Sequence, residues 1–496
     1  MPVAEGKGRT LEMREEPDDL TFKLGSVIAQ RIELDLVNGG WRVGRSLGSE
    51  AELMARYGIS RATLREALRQ VEAHGALKMG RGNSGGLVVA DLPHHAAERA
   101  LAVYLELVGA EAAELFEARA ILEPFGARLA AERATPVEAQ ELKRLAQRLE
   151  DPSRPAELAL PAYLSLSCRI VECAHNSPLR ILTGSLSRFT VETIADEICA
   201  PRAKRDFYGS ARAKLAIVEA VVSANATLAE RRSQEEIELE APLLRKYLKR
   251  ALAKEVDGPR TRLGGAGIRP KLAQLVAMRI AREISTSDLP LGFRLGSEKE
   301  LILKHDIGRA TFREAIRILE LHGFVATRRG HDGGLFVGRA DAAYTVRTVA
   351  TFMRASKMSL THLHEVREAV AVNIVGLAAR RIDPSRRALL SEALAQHIAS
   401  DGAAVVSTAR AAQVMLGEIC GNRILSMFNK ILLDLNIEGR VLPPDILYYV
   451  KRNLERVFEA IVERDEVAAR SHMSSHLNDV VDWGLGGRTV LGRSLS

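Results

Sequence analysis

Cysteine, aromatic side chains and long apolar runs are all scarce in this 496-residue chain, and each scarcity removes a class of protein. The four cysteines, Cys168, Cys173, Cys199 and Cys420, form no CxxC pair and have no histidine at zinc-finger spacing. A disulfide scaffold and a zinc module drop out, leaving the expectation of reduced thiols in a cytosolic protein. Aromatic residues make up only 4% of the chain, which argues against β-sandwiches, whose strands favour aromatic and β-branched side chains. No apolar run reaches the ~18 residues of a membrane span. The opening MPVAEGKGRTLEMREEPDDL mixes charges and lacks the apolar centre of a secretory signal, so neither a span nor a leader is expected.

What the chain does have is length and basic charge. At ~150 residues per domain its length makes roughly three or four domains. Hydrophobic residues (47%) and charged residues (27%) stand at ordinary globular proportions, so several cores can form. The formal net charge is +7 and the isoelectric point near 9.2. Residues 1–20 and 485–496 read as disordered tails, and the Gly/Arg/Pro-rich stretch 253–268 reads as a linker.

An internal repeat organises the rest. LGSEAELMARYGISRATLREALRQVEAHGALKMGRGNSGGLVV from Leu47 aligns without a gap on LGSEKELILKHDIGRATFREAIRILELHGFVATRRGHDGGLFV from Leu295, with about half of the positions identical. Arg61 falls on Arg309, Arg65 on Arg313 and Arg81 on Arg329, each 248 positions apart. The same offset runs from Lys23 and Lys271 to Arg119 and Arg367. That length far exceeds one solenoid repeat, so a tandem duplication of a whole two-domain unit is expected.

Within each unit, VIAQRIELDLV or LVAMRIAREIS has apolar residues at helical spacing. Ser49 precedes Glu52, and Ser297 precedes Glu300, as a capping box at the start of a short second helix. A third helix opens at Ser60 or Gly308; Leu64, Leu68 and Val71 share one face of it, Arg61, Arg65 and Arg69 another. It ends at His74-Gly75 or His322-Gly323, and a hairpin with a glycine-rich tip follows. The order helix, helix, turn, helix, hairpin is that of a winged helix-turn-helix.

A stripe of arginines is commonly just a wet surface. Arg61 and Arg65, however, occupy the first turns of their helix, where the macrodipole disfavours cations by about 0.3–1 kcal/mol, so an external polyanion is the better reason for them. The N-terminal part of a recognition helix is also the part that enters the major groove. Arg81, Arg328 and Arg329 sit at the hairpins, where a wing meets the neighbouring backbone or minor groove. Between Trp41 and Val89 there are eight basic and four acidic residues, and between Leu289 and Val337 eight and six, so these windows hold most of the net charge.

ELMARYGISRATLREALRQVEAHGAL and ELILKHDIGRATFREAIRILELHGFV resemble the GntR superfamily of bacterial transcription regulators, whose winged helix carries SR-x-x-(V/L)-R-x-AL-x-x-L-x-x-x-G. The resemblance implies DNA contacts from Ser60, Arg61, Thr63, Arg65, Arg69, Arg81 and Gly82 in the first unit. In the second it implies them from Lys299, Arg309, Thr311, Arg313, Arg317, Arg329 and Gly330. Departures are Gly48 and Gly296 where the family has proline, Ala51 where it has arginine, and Gly308 where it has serine. Ala51 removes a contact from the first head that Lys299 keeps in the second, while Gly308 lacks the capping hydroxyl, so the second head is expected to bind more weakly.

After each winged helix come about 150 residues of helical periodicity without alternating strands. AELFEARAILEPFGARLAAERAT and LTHLHEVREAVAVNIVGLAARR resemble the first effector helix of the FadR C-terminal domain, a six- or seven-helix bundle. SCRIVECAHNSPLRIL and QVMLGEICGNRILSMF resemble a later segment of it. Many such domains hold a metal through one Asp and three His. Aligned on Asn176, those places carry Tyr163, Ser167, Lys214 and Glu236 here, and Ala409, Gln413, Leu454 and His476 in the second unit. Both halves are therefore expected to be metal-free; His472 and His476 form an i, i+4 pair without a third donor. The resemblance makes Arg119 and Arg367 candidates for an effector carboxylate, with a structural ion pair as the alternative.

The expected fold is mainly α: two winged helix-turn-helix domains, at 21–92 and 269–340, each followed by an all-α effector bundle, at 93–252 and 341–484. The expected function is a sequence-specific transcription regulator, a repressor, sensing a small organic acid or acyl-CoA-like metabolite. It is not an enzyme and needs no cofactor, since the aminotransferase fusions of the superfamily have longer, less helical second domains. Its partners are double-stranded DNA with two similar half-sites and a metabolite, with no membrane; the chain is an intramolecular pseudo-dimer, a homodimer being left open. It belongs in the bacterial cytoplasm, at the nucleoid. The rival reading is an architectural DNA-binding protein that has lost effector sensing.

Overall fold

The computed structural model describes residues 17–73, 76–79, 87–91, 94–150, 156–198, 204–254, 272–328, 330, 333–356, 358–435 and 444–484. The remainder of the expected N-terminal tail, nearly all of the linker and the C-terminal tail lie outside them. By its internal contacts the chain divides into two compact units, Met1–Pro93 and His94–Ser496.

The first unit contains α1 (Pro17–Asn38), α2 (Glu50–Tyr57), α3 (Arg61–Ala73), β1 (Leu77–Met79) and β2 (Leu87–Val89). Helix α1 begins inside the stretch expected to be a tail, so residues 17–20 are helical. Ser49 caps α2 as a capping box, accepting from Glu52 N (3.3 Å) while its own amide donates to the Glu52 carboxylate (2.8 Å). Gly58 ends that helix at φ 64°, a left-handed conformation that glycine adopts at little cost. Ile28 and Ile32 of α1, Leu53 of α2 and Leu64, Leu68 and Val71 of α3 close over Leu77 to make one core. The two strands pair antiparallel, Leu77 with Val89.

The second unit begins with seven helices, α4 (His94–Leu107), α5 (Ala112–Arg133), α6 (Pro136–Glu150), α7 (Ala156–Glu172), α8 (Ser177–Ile198), α9 (Lys204–Val222) and α10 (Ala226–Lys254). It continues with α11 (Leu272–Thr286), β3 (Arg294–Gly296), α12 (Glu298–His305), α13 (Arg309–Leu321), β4 (Val325–Arg328) and β5 (Gly334–Val337). It ends with α14 (Ala343–Ala355), α15 (Leu360–Arg381), α16 (Pro384–Ala399), α17 (Ala403–Ile419), α18 (Arg423–Asp434), α19 (Pro444–Val462) and α20 (Glu466–Gly484). Helix α10 runs into the first residues of the expected linker.

The α11–β5 stretch repeats the element order of the first unit, with α2 and α12, and α3 and α13, starting at aligned residues and having equal lengths. Its sheet has three strands in the order β3–β5–β4. Its core, including Ile280, Phe312, Ile316 and Leu319, extends onto Val103 and Leu107 of α4, so this stretch is packed into the helical body. The expectation of separate domains at 269–340 and 341–484 did not foresee that packing.

The two seven-helix halves meet through a contact set that maps onto itself when the halves are exchanged. Asn176 donates to the His362 carbonyl (3.0 Å) and to Glu365 (3.0 Å), while Asn422 donates to the Glu114 carbonyl (2.9 Å) and to Glu117 (2.9 Å). Arg133 pairs with Glu365 (2.5 Å) and donates to the Ala174 carbonyl (3.1 Å); Arg381 pairs with Glu117 and donates to the Cys420 carbonyl (2.6 Å). Such reciprocity is the signature of an isologous, two-fold interface, here within one chain. It breaks at Arg423, which pairs with Glu114 (2.7 Å) and Glu111 (3.1 Å), whereas the aligned Ser177 meets Ser356 (2.7 Å).

Candidate functional site

Two kinds of place carry polar chemistry: the faces of α3 and α13, and the interiors of the two helical halves. On α3 the side chains of Arg61 and Arg65 are 66% and 63% exposed, and both are held through Nε by Glu50 of α2 (2.8 and 3.3 Å). On α13, Arg309 and Arg313 repeat this with Glu298 (2.8 and 3.2 Å). The arginines thus have a local carboxylate that offsets the macrodipole, which corrects the argument that only an external anion explains them. The clasp uses Nε alone, so the terminal amino groups of all four arginines have no partner among the described residues. The hydrogen bonds from Arg61 and Arg309 hold the Glu50 and Glu298 carboxyls below the usual range.

Ser60 is exposed and caps α3, accepting from Thr63 N (3.2 Å). Thr63 departs from its expected role: it is 5% exposed and its hydroxyl lies on Ser60 (2.9 Å), inside the cap. Arg69 is exposed and bound to Glu66 (2.9 Å). In the second stretch Lys299, Arg317 and Gly330 are exposed and Thr311 is half-buried. Gly308 gives α13 no side-chain cap. Arg81, Gly82 and Arg329 lie outside the described residues. Arg328 lies over the Phe336 ring, 4.5 Å from its centre.

In the interior of the first half, three of the four residues at the family's metal positions are joined by direct bonds. Lys214 pairs with Glu236 (2.7 Å), and Tyr163 donates to Glu236 and Glu240. Ser167 instead bonds its own helix, at the Tyr163 carbonyl (3.1 Å). Arg119 completes the network through Glu123 (2.6 Å) and Glu240 (2.8 Å). Burial opposes the Arg119 charge, but these carboxylates outweigh it and hold its pKa well above the ordinary value. Burial raises Glu236 to about 7 against the pull of Lys214. Of the two roles open to Arg119, the structure places it in the ion pair. Beside the network lies a pocket of about 190 Å³ lined by Glu123, Ser167, Cys168, Lys214 and Ser233.

The second half is built differently at the aligned positions. Arg367 donates to Gln413 (3.0 Å) and makes no ion pair among the described residues. Burial, with the like charge of Arg410, lowers it to about 10. His476 is 2% exposed and its Nδ1 has no hydrogen-bond partner among the described residues; burial, then Arg367 and His397, push it down to about 3. Ala409 and Leu454 are buried and apolar. His472 is partly exposed, and among the described residues no group of three or more His, Cys, Asp or Glu is arranged to hold a metal ion. A larger groove of about 630 Å³ lies between the halves, lined by Arg381, Arg386, Arg423, Lys430 and several glutamates.

Sequence reasoning missed Glu50, Glu298 and Glu240. The signal for the first two was available, because both keep the 248-residue spacing and face the paired arginines across the turn. Glu240 had no such marker.

The model for bacterial regulatory proteins of the gntR family matches once, at residues 24–86, and the FCD domain model matches twice, at 114–239 and 362–479. The expected duplication is thus matched in the helical halves, while the winged helix is matched in the first copy alone. The chain is 27% identical over 220 residues to the HTH-type transcriptional repressor NanR of Citrobacter rodentium, covering 43% of this chain and 85% of the relative. It is 27% identical to the NanR of Salmonella schwarzengrund over 84% of that protein. Among solved structures, a GntR of Streptococcus agalactiae aligns at 23% identity and TM-score 0.32 over 42% of this chain and 98% of that one. McbR/YncC of E. coli aligns at 16% and TM-score 0.25 over 44% and 98%.

Proposed function

We propose, from the premise that this chain is a transcription regulator with a gntR-family DNA-binding domain and two FCD domains, that it is a repressor carrying two reading heads in one polypeptide. The observation that carries this is the repetition of the arginine clasp: Glu50 with Arg61 and Arg65, Glu298 with Arg309 and Arg313, on helices of equal length. A fixed Nε leaves the guanidinium fork aimed and free for guanine edges or phosphates. Ser60, Arg69 and the wing residues Arg81 and Gly82 complete the first head; Lys299, Thr311, Arg317, Arg329 and Gly330 complete the second. The half-sites are similar but unequal, because Ala51 faces Lys299 and Ser60 faces Gly308 in the alignment. The reciprocal interface between the helical halves supports an intramolecular pseudo-dimer in place of the usual two chains. A small organic acid or acyl-CoA-like metabolite acts through the helical halves, in the bacterial cytoplasm at the nucleoid.

The charge-paired interior of the first half, where Glu123 and Glu240 already hold Arg119, favours a second reading for that half, a DNA-binding protein that has lost its effector. One experiment separates them. Footprinting and anisotropy on DNA upstream of the gene should show two protected half-sites per chain. Arg61→Ala or Arg309→Ala should each cost about 1–3 kcal/mol of specific binding. Release of the operator by a metabolite supports the sensor; binding indifferent to any metabolite supports the architectural protein. Full affinity in both single variants refutes the reading heads.

A further inference from the structure

We propose that Arg423 positions the second reading head: by clamping the elbow between α4 and α5 it fixes α4, and through α4 the recognition helix α13, against the helical halves. This goes beyond the regulator reading above and rests on its two heads. The elbow turns through Gly109, at φ 66°. From the other half, the Arg423 guanidinium reaches both of its sides. Nη1 donates to the Val108 carbonyl at the end of α4 (3.0 Å), and Nε and Nη2 donate to Glu114 in the first turn of α5 (2.9 and 2.7 Å). Nη2 also donates to Glu111 (3.1 Å), and the Arg423 backbone amide to Glu114 (2.7 Å). A cation at the end of one helix and a carboxylate at the start of the next both suit the macrodipole, so the clamp stabilises each helix end that it joins.

What α4 carries is the second winged helix. Val103 and Leu107 are buried in one core with Ile280 of α11 and Phe312 of α13, and Val108, whose carbonyl Arg423 holds, packs against the same core. The Tyr104 ring lies 5.7 Å from that of His322, the residue that ends α13. A helix packed on the head along its length and clamped at its end carries a shift from one to the other. The pseudo-two-fold mate of this elbow lacks the parts. Ser177 stands in the place of Arg423 and meets only the Ser356 hydroxyl across the halves (2.7 Å) among the described residues. The places of Glu111 and Glu114 hold Ser359 and His362, and those of Val103 and Leu107 hold Thr351 and Ala355. The charged clamp and the apolar seat for a head thus occur together on one elbow and are replaced together on the other.

The full chain is followed by hydrogen exchange without DNA and by anisotropy on duplexes carrying both half-sites or either one alone. In Arg423→Ser, which copies the mate, amides in the last turn of α4 and in α11–α13 should exchange at least about tenfold faster while those of α1–α3 keep their rates. Affinity should fall by at least about fivefold on the duplex with both half-sites and hold on each half-site alone, since a loosened head still reads DNA but no longer arrives at a fixed spacing. Damage to the head itself would lower the single half-site affinity as well. Arg423→Lys keeps a charge beside Glu114 but cannot span Val108, Glu111 and Glu114 at once. It should stay folded and show the same pattern in smaller degree, so it tests the clamp even if Arg423→Ser is unstable. Arg133→Gln cuts the reciprocal ion pair to Glu365 and should leave exchange in α11–α13 unchanged. Wild-type exchange of α11–α13 in both Arg423 variants, equal loosening in Arg133→Gln, or an equal loss on single half-sites would each overturn the proposal. A wild-type chain that binds both half-sites no more tightly than one would defeat the two-head reading instead, and the exchange rates would still judge the clamp.

Discussion

Replacing Lys214 with methionine isolates the buried charge network of the first half. The substitution keeps the length of the side chain and removes its charge, leaving Glu236, fully buried, without the ammonium 2.7 Å away. Breaking a buried pair from one side costs about 3–5 kcal/mol, but only while the remaining group is charged. Burial already lifts Glu236 from 4.5 to about 7. Between those values the native state holds a proton that the unfolded chain has lost, so stability declines as pH rises through this window, by about 3 kcal/mol, and is lowest above it. Without Lys214 the carboxyl keeps its proton to still higher pH. The variant should therefore lose about 1.4 kcal/mol more at about pH 8 than at about pH 5, because only the wild-type carboxyl ionises in the last unit above about 7. Trp41 and Trp483 both lie outside this half, so tryptophan fluorescence is blind to it; native-state hydrogen exchange of α9 and α10 peptides is the assay. An equal loss at both pH values, or a loss below about 1 kcal/mol at the higher one, would refute the reasoning.

His322, at the end of α13 and against Thr345 of α14, and His476 of α20 should respond to pH with the opposite sign. Burial pushes His322 down to about 4 and His476 to about 3 from 6.5, so the native state refuses protons that the unfolded chain accepts, and stability is lost as pH falls below the unfolded value. Hydrogen exchange in α14 and α20 should report about 2 kcal/mol lost per histidine at about pH 5 relative to neutrality. Asn176→Ala and Asn422→Ala each remove a helix cap, on Leu179 N (2.9 Å) and Leu425 N (3.0 Å), together with a donor to the other half. Thermal melts should show similar losses of about 1–2 kcal/mol for the two, and a large difference between them would deny the reciprocity of the interface. Operator affinity should fall steeply with salt, with slope set by the phosphates contacted; Arg309→Ala with Arg313→Ala should flatten that slope toward a single head's, and an unchanged slope would show that α13 stays off the DNA.

Legibility followed the range of the interactions. Ser49 with Glu52 and Leu64 with Leu68 are written three and four residues apart, and helix periodicity exposes them directly. Glu123, four residues beyond Arg119, was readable in the same way. Glu240 reaches Arg119 across 121 positions, and Asn176 reaches Glu365 across 189, so no local pattern announces either. Asn176 stood out only as a motif landmark; its work as a cap and bridge between halves came from the structure. The burial of Thr63 followed from a competition that the motif does not display: its hydroxyl joins Ser60 at the helix start rather than facing outward.

The reciprocal clamp of Arg133, Glu365, Arg381 and Glu117 lies between two parts of one polypeptide, and that changes how occupancy depends on abundance. Two separate chains must first find each other, so at low copy number the population of paired molecules scales with the square of the chain concentration. A covalent connection replaces that step with an effective local concentration of order millimolar, which dilution does not alter. For the pseudo-dimer proposed above, occupancy of the operator rises with the first power of chain concentration, and a cell holding only a few molecules keeps every one of them assembled. A regulator built as the proposed pseudo-dimer gives up the threshold that dimerisation imposes and responds in proportion to the number of chains made.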